Sequence, residues 1–222
     1  MKSKVWEARL DHMAERVPRL AHGWELAADP AAPPALIREF IRPAVRAVPS
    51  RMARRLGFCQ VGLMAGLGNP RLASQWTATD RGVEIRVATA GRTEHDVAME
   101  VLLCLGQALW ERLNHSQRKA YWLLLDAEIH AGATGEIDEQ ALKEKRALLG
   151  GRFSAASRRR LQRYGAASFA GTAAEYGHSL WHDVNVLSGP RCLPAAQLRR
   201  RLELLFRWFP PDRGYRLFAQ RG

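Results

Sequence analysis

The stretch Val83-Glu84-Ile85-Arg86-Val87-Ala88, followed after a short polar break by Thr93-Glu94-His95-Asp96-Val97, decides the fold. In its first part apolar and charged residues alternate, the period-two pattern of a strand with one buried face. Val83, Ile85 and Val87 point one way, and Glu84 and Arg86 the other. After Thr93 the period changes. Val97, Val101, Leu105 and Ala108 recur at helical spacing, and the pattern continues to about Leu113. Thr93 is placed to cap this helix, with Asp96 in the capping-box position.

Upstream, the β-branched segment from Gln75 to Thr79 is joined to Val83 by Asp80-Arg81-Gly82, which signals a hairpin. Cys59 to Leu67 reads as a further strand. Before it, Val5 to Leu20 reads as an amphipathic helix and Ala27 to Pro34 as an Ala/Pro-rich linker. Pro34 opens a second helix, with Ile37, Phe40, Ile41, Val45 and Val48 inward and Pro43 as a kink. Downstream there are only helices. They run from Ser116 to Ile129, from Asp138 to Leu149, through a short basic segment from Ser157 to Tyr164, and from a Thr172/Glu175 capping box to about Val186. Pro194 starts the last, with Leu198, Leu202, Leu205 and Phe209 inward, and Tyr215 to Phe218 reads as a docked tail. Two helices, a small antiparallel sheet and then a run of helices make an α+β fold. The 222 residues fit one domain: a helical N-terminal extension over 1–48, a core over 49–193, and a C-terminal helix and tail over 194–222.

Composition narrows the function classes. A hydrophobic content of 47% supports a sizeable core, and no apolar run is long enough for a membrane span. The N-terminus has no apolar stretch of the signal-peptide kind, so a cytoplasmic protein is expected. Cys59, Cys104 and Cys192 are too few and scattered for a disulfide framework and read as buried free thiols. The net charge of +12 favours anionic partners, although an excess of arginine over lysine with abundant alanine is also what GC-rich bacterial coding sequence produces. Candidate anion-binding groups are Arg38, Arg42 and Arg46, spaced along one helix face, and Arg199, Arg200 and Arg201, near the aromatic residues Phe206, Trp208 and Phe209. No phosphate loop, nucleophile elbow or nucleic-acid-binding signature is present.

Val101-Leu102-Leu103-Cys104-Leu105-Gly106-Gln107-Ala108-Leu109 resembles the active-site helix of the zincins, the minimal zinc metallopeptidases and lethal-factor-type catalytic domains. In that family the helix carries His-Glu-x-x-His. Two histidines four apart share a zinc on one helix face, and the glutamate is the general base for the bound water. The apolar pair before the motif, the central Leu-Gly and the trailing Ala-Leu match, but the three chemical residues do not. Leu103 stands at the first histidine, Cys104 at the glutamate and Gln107 at the second histidine. Val83 to Val87 resembles the strand that edges the family's cleft. Ala174-Glu175-Tyr176-Gly177-His178-Ser179-Leu180 resembles its third-ligand segment, with His178 where glutamate is expected.

The resemblance implies a zincin-like domain without peptidase chemistry and without a cofactor. Its remnant cleft, lined by Leu103, Cys104, Gln107, Glu175 and His178 between the helices at 94–113 and 173–186, would bind a protein or peptide or serve as a scaffold. Two alternatives stand beside this reading. The charge suggests a basic nucleic-acid-binding protein. Glu175, His178 and His182, which share one helix face, suggest a metal-dependent hydrolase with relocated ligands, completed by Cys104 or Glu100 and holding zinc or another divalent ion. His95, beside Glu94 and Asp96 in a first helical turn, reads as solvated, and His12, His22, His115 and His130 read as surface residues.

Overall fold

The computed structural model describes residues 18–150, 155–182 and 192–217. The helix expected from Val5 lies mostly outside them. The fold is α+β, with seven α-helices and a four-stranded sheet among the described residues. The strands are β1 (Glu25–Ala28), β2 (Phe58–Met64), β3 (Ser74–Thr79) and β4 (Gly82–Ala88), arranged β1-β2-β4-β3. The sheet is mixed. β1 and β4 both run parallel to β2, and only the β3–β4 hairpin is antiparallel. The expected antiparallel sheet therefore holds for the hairpin alone. β4 lies inside the sheet and β3 forms its edge.

One face of the sheet is apolar and covered. Leu26, Cys59, Val61, Leu63, Val83, Ile85 and Val87 are buried, and the register places Val61 beside both Leu26 and Ile85. The opposite face carries Gln60, Glu84 and Arg86 at intermediate exposure, with Arg86 paired to Glu84 at 2.6 Å. The helices thus stack on one side of the sheet, as the alternation in β4 requires.

Residues 18–48 belong to the core rather than to a helical extension. β1 pairs with β2, and Leu26, Ile41, Ala44 and Val45 are buried. A four-residue strand reading Glu-Leu-Ala-Ala has no β-branched residue to reveal it. Beyond it a π-helical turn, Leu36–Ile41, leads into α1 (Arg42–Ala47), where the Arg42 N–H reaches back to Ile37 O. The wider turn lets the chain accept Pro43, which brings no N–H of its own. α2 (Ser50–Leu56) completes the crossover to β2.

α3 (Glu94–Arg112) begins as the sequence indicates, with the Asp96 N–H donating to Thr93 Oγ1 at 3.1 Å. α4 (His115–His130) is capped by Asn114, two residues before the expected Ser116, in a full capping box with Gln117. α5 (Glu139–Leu149) is capped by Asp138. α6 (Ala155–Trp181) is one continuous helix where two were expected. Thr172 lies inside it and donates from Oγ1 to Ser168 O at 2.8 Å, so its hydroxyl bonds back along the helix instead of capping a new one. α7 (Ala195–Trp208) starts after Pro194.

α3 lies between the sheet and α6, and these two helices pack closely. A Cβ on Gly106 would sit 2.7 Å from Ala170 O and 2.9 Å from Ala170 Cα. Glycine is needed there because the helix backbones touch. The C-terminal segment then ties onto this stack. Tyr176 donates to Phe209 O at 2.7 Å, and Asp212 accepts from both the N–H and the Oγ of Ser50. A single hydrophobic cluster includes side chains from Leu20 to Leu217.

Candidate functional site

The three residues that the resemblance sets at the metal-ligand and base positions have different surroundings. Leu103 is half-buried against the core, Gln107 is exposed, and Cys104 is fully buried. Burial pushes the Cys104 thiol up to about 12, with Ser74 as its hydrogen-bonding neighbour, and Cys59 across the sheet interface is raised likewise. A thiol held that high stays protonated near neutral pH, so it cannot take a proton from water. Glu100, one turn earlier, accepts from Ser74 Oγ on β3 at 2.5 Å. Glu100 and Cys104 therefore face the sheet edge and do not join the histidines.

The expected cleft between the helices is closed. Gly106 meets Ala170 and Ala173, and a Cβ on Gly177 would lie 3.2 Å from Leu102 Cδ2. Small residues on both helices draw the backbones together where the resemblance placed an opening. His178 is brought not to Leu103 but to His95, near the start of α3. Their Nε2 atoms are 3.1 Å apart and the rings meet edge to face at 4.9 Å. His95 is accordingly half-buried rather than solvated. The reason is the antiparallel run of α3 and α6, which sets the first turn of one against the last turn of the other.

Glu175 lies behind His178, with Oε2 3.5 Å from Nδ1. Trp181 stacks against His95 at 6.1 Å, is met edge-on by Phe40 at 6.0 Å, and lies 4.1 Å from the exposed His182 ring. His182 is one turn beyond His178, its N–H donating to His178 O at 2.8 Å. The helix end thus gathers three imidazoles and one carboxylate. Among the described residues, no group of three or more His, Cys, Asp or Glu side chains is already arranged to hold a metal ion.

The arginine groups divide. Arg38, Arg42 and Arg46 are exposed, as are Arg199 and Arg200. Arg38 pairs with Glu39 at 2.6 Å and Arg199 with Glu203 at 2.9 Å. Arg201 is no anion-binding residue: it is completely buried. Its Nη2 lies 2.5 Å from Glu128 Oε2, its Nη1 lies 2.8 Å from Glu136 Oε2, and Nη1 also donates to Ser168 Oγ at 2.8 Å. Helical spacing places Arg201 on the inward stripe with Leu198, Leu202 and Leu205 of α7.

Around Arg201 lies a polar core that the sequence did not disclose. Lys145, also fully buried, donates to Gly135 O and to Glu136 Oε1, and Tyr164 donates to Glu136 Oε1 at 2.5 Å. Tyr121 OH meets Ser168 Oγ and Thr172 Oγ1 at 3.1 and 2.8 Å. Two cations face two carboxylates. Burial alone would raise the Glu136 carboxyl, but the Arg201 guanidinium, with Tyr164 and Lys145, holds it below the ordinary value. Solvent exclusion leaves a ligand no access to this network, which instead locks α4, α5, α6 and α7 to one another.

His22 is not a plain surface residue either. It is half-buried in a left-handed conformation at φ 63° and lines a depression of about 420 Å³ with Trp24, Ser50, Ala53, Arg54, Gly57 and Phe58. No helix among the described residues is long and apolar enough to cross a membrane. No family model, curated protein or solved structure matches the chain.

Proposed function

We propose that this chain is a zincin-like domain that has exchanged its peptidase residues and acts as a non-catalytic binding module, taking an extended peptide along β3. The observation that carries the reading is the placement of β3. It is an antiparallel edge strand beside α3, the helix whose Leu103, Cys104 and Gln107 stand where the resemblance sets the zinc ligands and base.

The register supports this use of the edge. The Ala88 N–H donates to Ala73 O at 2.9 Å, one residue beyond the β3–β4 pairing. Alternation along an antiparallel ladder then turns the backbone groups of Gln75, Thr77 and Thr79 toward β4 and those of Ser74, Trp76 and Ala78 away from it. An incoming strand would meet this outward row, as in strand addition to a sheet edge. With the α3–α6 contact closed, the sheet edge rather than the space between the helices is the surface proposed for binding.

Fluorescence polarisation with a labelled, end-blocked random heptapeptide pool tests the reading. Saturable binding is expected, with no cleavage by mass spectrometry even when zinc is added. Ala78→Pro removes an outward N–H without touching the β4 ladder and should abolish binding. Absence of binding, cleavage of the pool, or undiminished binding by Ala78→Pro would each refute it.

A further inference from the structure

We infer that His95 and His178 are two ligands of a divalent transition-metal site that clasps the start of α3 to the end of α6, with His182 as a third ligand. The site lies about 12 Å along α3 from Leu103, eight residues at 1.5 Å each, so it is displaced from the position the zincin motif would use. It does not depend on the peptide-binding reading.

The first argument is distance. With metal–nitrogen bonds of about 2.05 Å, a 3.1 Å separation between the two Nε2 atoms subtends about 98° at a shared ion. That angle lies between square-planar and tetrahedral, within the range that zinc, cobalt, nickel and copper accept. The approach joins residues 83 apart in sequence, so it is set by the helix packing rather than by local geometry.

The second argument is the tautomer. The Glu175 carboxylate beside His178 Nδ1 favours a proton on that nitrogen, which makes His178 Nε2 the acceptor of the hydrogen bond from His95 Nε2; an ion takes the place of the shared proton, with both lone pairs turned toward it. A carboxylate behind an imidazole is the usual outer partner of a metal-bound histidine. Glu175 is thus a positioning residue and not a ligand. His178 and Glu175 side chains are 17% and 14% exposed, enough shielding to hold an orientation and enough access for an ion.

The third argument is completion. His182 follows His178 by four residues, the spacing at which two helical histidines share one ion. Its ring centroid is 5.8 Å from that of His178 and 6.4 Å from that of His95, within reach of the same ion. Water fills the remaining position. An all-imidazole set selects borderline transition metals over magnesium or calcium.

The test uses tag-free, chelator-treated protein, titrated with zinc chloride by calorimetry and with cobalt chloride by visible absorption. One ion per chain is expected. His95→Ala and His178→Ala should each weaken binding at least tenfold, Glu175→Gln by about tenfold, and His182→Ala measurably, while His115→Ala and His130→Ala leave it unchanged. Should His95→Ala unfold, as read by circular dichroism, His95→Gln keeps the polar volume and carries the same expectation. Ala78→Pro should bind metal as the parent does, which separates this test from that of the sheet edge. No stoichiometric binding by the parent protein, or parental affinity in the His95 variants, overturns the assignment.

Discussion

Arg201 Nη1 lies 2.8 Å from Glu136 Oε2 with neither side chain exposed to solvent, and the same guanidinium also holds the buried Glu128. A charged group buried this deeply is tolerated only when its partners surround it. Removing it leaves two carboxylates without their main counter-charge. Arg201→Met should therefore destabilise the protein by about 3–5 kcal/mol, read as a lower midpoint in urea unfolding. Arg201→Lys keeps the charge but cannot span both carboxylates, and should fall between.

Acid should act through the same network. Glu136 is held below the ordinary glutamate value of 4.5, so between its folded and unfolded values the unfolded chain binds more protons. Its contribution is full above about 4.5 and is lost as pH falls through the folded value. Asp138, raised above 3.8 by burial, acts in the opposite sense and gains stability on acidification. Urea midpoints measured from pH 7 down to pH 3 should fall less steeply in Glu136→Gln and more steeply in Asp138→Asn.

The α3–α6 contact makes two glycines unequal. Gly106→Ala places a Cβ against backbone atoms of Ala170 at 2.7 and 2.9 Å, and neither can turn aside. A helix-propensity gain of about 1 kcal/mol is outweighed by overpacking, so a net loss of about 1–3 kcal/mol is expected. Gly177→Ala meets the Leu102 side chain at 3.2 Å, which can shift by a rotamer adjustment. Thermal unfolding of the two variants should separate them, with Gly106→Ala the less stable.

Thiol reactivity should report the burial of Cys104. Cys59 and Cys104 are pushed up to about 12, and Cys192 is the free cysteine at intermediate exposure. Ellman's reagent at pH 8 should modify only Cys192 in the native protein and all three cysteines after denaturation. Modification of native Cys104 would mean that its side of α3 is open to solvent.

The sequence by itself determined the elements whose signals are local. The alternation of Val83, Ile85 and Val87 against Glu84 and Arg86 placed β4 and its buried face. Thr93 and Asp138 marked helix starts because a capping hydrogen bond involves residues three apart. Those signals were enough for the α+β class. Only the tertiary structure decided the rest, because it depends on residues far apart in the chain. β1 became a strand through pairing with β2, with no propensity of its own to announce it. Thr172 reads as a cap by pattern, yet its buried place beside Tyr121 and Ser168 keeps it within one long helix. Arg201 reads as one of three surface arginines, yet its helical phase turns it inward to Glu128 and Glu136, 73 and 65 residues away. His95 reads as a solvated first-turn residue until α6 runs antiparallel to α3 and sets His178 against it. Hydrogen bonds within a turn are written in neighbouring residues, whereas charge pairing and helix-to-helix contact exist only after the chain has packed.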